Sequence, residues 1–112
     1  MITIIVDEAY AFDYLSILDI KKNLNLNCAK NWENCLDHLK NQIGENLIEK
    51  IINSQEYKNM LEANKITFDA VEKARYGSIS AKEVDDANML RHKRKLELQA
   101  RFFDNKLMEY KT

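Results

Sequence analysis

The chain has 112 residues, 46% of them hydrophobic and 31% charged, with a formal net charge of -1. That balance excludes an unstructured polar tail, and the near neutrality excludes both a globally basic nucleic-acid binder and a strongly acidic mimic. Zero prolines, two glycines and no Pro/Gly/Ser-rich stretch point to one all-α domain over residues 1–112, a small bundle of about four amphipathic helices rather than a many-stranded sheet.

Area scaling allows a chain of this mass to bury about two-thirds of its unfolded surface, enough for a core without staples. The opening Met1 to Val6 has no basic residue and runs into Asp7 and Glu8, which does not fit a signal peptide. No apolar run approaches the roughly 20 residues that span a bilayer. Two cysteines, Cys28 and Cys35, are too few for a disulfide scaffold, so the expectation is a cytoplasmic protein with reduced thiols and no membrane contact.

In chain order, Ile2–Val6 is a β-branched run that fits either a short strand or the lead-in to a helix. A lone strand in a helical chain would need its copy in a second subunit as partner. Asp7 is placed to cap a first helix running to about Asn23, with Glu8 in the first turn, where the helix dipole favours an anion. Tyr10, Ala11, Tyr14, Leu15, Ile17 and Leu18 cover about half of its circumference on a 100° wheel, opposite Asp13, Ser16 and Asp19.

An Asn-rich link, residues 23–27, favours a turn, after which Asn31 can cap a second helix. Its stripe of Trp32, Leu36, Leu39 and Ile43 continues in phase through Leu47 and Ile51. Gly44 interrupts that stripe at a cost of about 1 kcal/mol relative to alanine, and the unbroken phase leaves a continuous helix open. Ser54 marks a third N-cap, followed by Tyr57, Leu61, Asn64, Phe68, Val71 and Arg75 at spacings of four and three, with Gly77 as the helix-ending C′ residue.

Ser80 and Glu83 match the capping-box pattern and open a long fourth helix, expected to reach about Tyr110. Its wheel carries two apolar seams. One holds Met89, Leu96, Ala100, Phe103, Leu107 and Tyr110. The other, weaker, holds Val84, Ala87, Leu98 and Phe102 and is assigned to a second subunit, because two seams imply two packing partners.

The ends are electrically opposite. Residues 1–20 carry four acids and no base, whereas residues 73–112 carry ten Lys/Arg against six Asp/Glu. Within the basic end, Arg91, Arg94, Lys95 and Arg101 share one side of the helix and are candidate phosphate contacts for a nucleic acid. The competing view is a solvated face whose stems cover apolar neighbours and whose charges pair with acids such as Glu97.

Cys28, Cys35, His38 and His92 number enough for a zinc site. If both cysteines lay on one helix, however, they would stand about 10.5 Å apart along its axis, which suits neither a disulfide nor one tetrahedral ion. No phosphate loop, nucleophile elbow or His-Glu-x-x-His pair occurs, and the acids form no paired catalytic pattern. The expected function is therefore a non-enzymatic helical protein–protein interaction or assembly module without a cofactor, forming a homodimer, with nucleic-acid binding through the fourth helix as the alternative.

Overall fold

The computed structural model describes residues 2, 5–24, 28–77 and 79–103. The described elements are all helices: α1 (Glu8–Leu24), α2 (Ala29–Ile43), α3 (Glu45–Ile52), α4 (Gln55–Arg75) and α5 (Ala81–Phe102). The all-α class is as expected, with one more helix than four. Among the described residues no helix is long and apolar enough to cross a membrane.

No strand forms at the described positions of Ile2–Val6. Ile2 and Ile5 are almost fully exposed and Val6 partly so, because a chain whose other described elements are helices offers no sheet edge to pair with. Asp7 takes the N-cap place of α1, where its carbonyl accepts from the Tyr10 N–H at 3.0 Å.

The second helix begins earlier than an Asn31 cap would set it. Cys28 stands at the N-cap without a capping side chain, and Asn31 lies inside α2. Packing fixes this first turn instead, with the Lys22 ammonium 3.4 Å above the centre of the Trp32 ring.

Gly44 ends α2 rather than letting it run on. It takes φ +93° and ψ 148°, a combination essentially reserved for glycine. Its N–H closes α2 onto the Lys40 carbonyl at 2.9 Å, and its carbonyl opens α3 by accepting from Ile48 at 3.2 Å. The bend delivers Ile48 and Ile51 into the same core as Leu36 and Leu39.

Ser54 caps α4 by accepting from the Tyr57 N–H at 3.1 Å, and Gly77 beyond its end has φ +74°. The buried face of α4 differs in part from the expected stripe. Tyr57, Met60, Ala63, Asn64, Thr67 and Ala70 face inward, whereas Phe68, Val71 and Arg75 remain exposed. Small residues explain the choice, since alanine at 63 and 70 lets α5 approach closely. The Thr67 hydroxyl lies 2.9 Å from the Ala63 carbonyl and 3.2 Å from that of Ala87 across the interface.

Ser80 caps α5 by accepting from the Glu83 N–H at 3.3 Å. This helix stops at Phe102, short of Tyr110, because Phe103 turns to φ -139° and ψ 128° and lays its ring 6.3 Å from that of Phe12. Leu107 and Tyr110 lie outside the described residues.

The most extensive packing is between α4 and α5, which run antiparallel, as the proximity of Arg101 to Glu56 and of Thr67 to Ala87 requires. Helix α1 lies against this pair and against α2, while α3 bridges α2 and α4. The core draws Phe12 and Leu15 from α1, Leu36 and Leu39 from α2, Ile48 and Ile51 from α3, Tyr57 and Met60 from α4 and Leu98 from α5.

A Cβ at position 44 would meet no atom within 4 Å, so Gly44→Ala tests the backbone alone. We expect it to lower the unfolding free energy by about 1–3 kcal/mol in urea denaturation. An unchanged or raised stability would mean that α2 and α3 can fuse without loss.

Candidate functional site

Two cations on the basic side of α5, Arg91 and Lys95, face inward. Asp13 of α1 is only 5% exposed, and an ionised carboxylate in that position requires opposite charge and hydrogen-bond donors. Arg91 meets it with both arms of its fork, Nε to Oδ1 at 3.2 Å and Nη2 to Oδ2 at 2.7 Å. Lys95 Nζ lies 3.9 Å from Oδ2 and 4.5 Å above the Tyr10 ring.

Asn64 of α4 completes the arrangement, its Nδ2 donating to Asp13 Oδ1 at 3.0 Å and to the Ser16 hydroxyl. Ser16 in turn donates to the Asp13 carbonyl at 2.7 Å. One buried acid thus joins α1, α4 and α5. A second buried polar group does similar work near the start of α1, where Gln99 accepts from the Ala9 N–H at 2.8 Å and donates to Glu8 Oε1 at 3.0 Å. That accepted bond satisfies one of the donors every helix N-terminus leaves open.

The four cations singled out for phosphate contact are therefore all placed beside carboxylates. Arg91 and Lys95 serve Asp13, Arg94 Nη1 bonds Glu97 at 2.7 Å, and Arg101 Nε lies 3.9 Å from Glu56. The last two contacts are at the surface and labile, but Arg91 and Lys95 could reach a phosphate only by abandoning a buried acid. Within the 91–95 cluster His92 and Lys93 are the exposed positions.

The seam assigned to a second subunit is also largely used within the chain. Leu98 has no exposed surface and Ala87 is buried, while Val84 and Phe102 keep partial exposure, with Phe102 packed on the core. The physical reason is that Arg91, Lys95 and Leu98 share a side, so pairing Arg91 with Asp13 turns that weaker apolar seam to the bundle. Met89, from the stronger seam, is left 70% exposed.

Helices α4 and α5 also carry an open face, away from the residues of α5 that meet α1. Near the turn between them an open groove of about 860 Å³, solvent included, has Ala70 and Ala87 as floor, Ile66, Ile79 and Leu90 as walls, and Asp69, Lys73, Glu83 and Asp86 around it. At the other end of the same helix pair, Glu56, Asn59, Glu97, Ala100 and Arg101 line a polar continuation. Sequence reasoning missed this groove because it placed the α4 stripe on Phe68 and Val71. The apolar residues Ile66 and Leu90, four positions from Ala70 and three from Ala87, were the available signal.

Two titratable side chains of the core, Cys35 and Tyr57, are perturbed by burial. Burial pushes the Cys35 thiol above its ordinary pKa, the opposite of an activated nucleophile. The Tyr57 phenol is pushed up by burial and further by Asp19 and Cys35. Among the described residues no three of His, Cys, Asp and Glu converge as a metal site would require.

Removing Arg91 alone leaves Asp13 with Asn64 and Lys95, so Arg91→Ala should cost about 1–3 kcal/mol of stability. Removing Lys95 as well strands the carboxylate, and the double variant should lose about 3–5 kcal/mol in urea denaturation. A double variant no less stable than Arg91→Ala would show that Lys95 plays no part in holding Asp13.

Compared with protein-family models, curated proteins and solved structures, the chain finds no match.

Proposed function

We propose that this chain is a non-enzymatic helical module that docks a protein partner on the open face of the α4/α5 pair. The observation that carries this reading is the groove near the turn, where Ile66, Ile79 and Leu90 stand over an alanine floor and which is open among the described residues. Uncovered apolar surface framed by charge is the usual mark of a docking site. The core supports the same reading, since it is built around buried groups of α1, α4 and α5 that hold the helices in place without drawing on Ile66 or Leu90.

Nucleic-acid binding by Arg91, Arg94, Lys95 and Arg101 is the second reading. Four phosphate contacts would give a log-affinity against log-salt slope of roughly -3.6 on duplex DNA. The carboxylates beside all four cations compete with phosphate, so no observation favours it over protein docking.

Ile66 is 42% exposed, which makes Ile66→Asp a surface change expected to leave the fold intact. In affinity capture from the cells that make the protein, a specific partner should be retained by the wild type and by Asn46→Asp on the exposed side of α3. The same partner should be lost with Ile66→Asp. Retention by Ile66→Asp would place the contact elsewhere and remove the groove from the account.

A further inference from the structure

Two features of the groove near the α4/α5 turn have to be met together by whatever occupies it. Its walls are apolar, Ile66 and Leu90 over alanine, and its rim carries three carboxylates, Asp69, Glu83 and Asp86, against the single ammonium of Lys73. We infer that the groove takes one helix of a partner protein whose apolar stripe is flanked by lysine or arginine. The inference rests on the protein-docking function proposed above and names the chemistry of the partner.

A helix fits where an extended peptide does not. The groove is formed by two helices whose backbone groups are already paired, so a strand laid there would bury amides and carbonyls without partners, whereas a helix satisfies its own. A third helix along an antiparallel pair also packs ridges into grooves in the ordinary way.

Charge then selects among helices. Asp86 has an ammonium nearby, Lys82 Nζ at 3.2 Å, but both side chains are mostly exposed, and such a pair is easily exchanged for another. The rim stays wet, so its acids govern partner choice and association rate more than the strength of the complex, which comes from the apolar walls. The same acids repel a phosphate backbone or an anionic lipid surface.

The test is a displayed library of helices about 18 residues long, five turns, with a fixed leucine stripe and flanking positions randomised among Lys, Glu, Gln and Ser. Selection on the intact chain should enrich lysine at the flanks at least tenfold over glutamate. Selection on Asp69→Lys/Glu83→Lys, both exposed positions, should reverse that preference, and selection on Ile66→Asp should yield no enrichment. Circular dichroism confirms that each variant is folded.

Helices bound through Ile66 with no flank preference, or with the same preference on the reversed rim, would overturn the basic-helix inference and leave the docking function standing. A chain that selects no helix but self-associates with concentration, and loses that association with Ile66→Asp, would make a second copy the occupant and likewise overturn the inference. No helix selected and a monomer at all concentrations would overturn both.

Discussion

The arrangement of this protein depends on one buried carboxylate. Asp13, closed off from water at 5% exposure, is held by the Arg91 fork, the Lys95 ammonium and the Asn64 amide. Since its contacts come from residues 51 and 78 positions away in the chain, it sets the rotation of α5 against α1 and α4. An apolar contact would tolerate rotation about the helix axis by a few tens of degrees, but a bidentate guanidinium–carboxylate pair does not. A buried pair of this kind adds less to net stability than its geometry suggests, and its clearer effect here is to specify which face of α5 goes in.

That rotation decides what α5 can offer to other molecules. With Arg91 turned to Asp13, Leu98 and Ala87 go into the bundle, Gln99 reaches the start of α1, and Met89 is left in solvent. Acid-rich α1 and base-rich α5 are thus complementary within one molecule. Local charge that resembles a nucleic-acid footprint in one dimension is here largely matched by the acids of neighbouring helices.

Much of the architecture was legible from local signals. Ser54, Ser80 and Gly77 announce helix boundaries because capping is a matter of a few adjacent residues, and the structure places each where the pattern put it. Gly44 was legible as a candidate break but not as a certain one, since the stripe from Trp32 to Ile51 keeps its phase and only the backbone at +93° settles it. The inward face of α4 and the better-buried seam of α5 were not legible. Both turn on Asp13, and a wheel that sets Asp13 opposite the apolar face treats it as solvent-facing. Periodicity registers apolar residues and does not distinguish a surface acid from a buried one with a distant partner. The candidate groove was hidden for the same reason, because it appears only when the α4 and α5 rotations are known.

The Asp13 clamp and the core below it anchor the far half of α5, while the half near the turn packs on α4 through Ala87 and borders the open groove. Native-state hydrogen exchange tests this most directly. Amides of residues 91–102 should exchange only through global unfolding, and those of residues 84–90 should exchange through a smaller, cheaper opening. Uniform protection along α5, or weaker protection in the Arg91 to Phe102 half, would contradict the account.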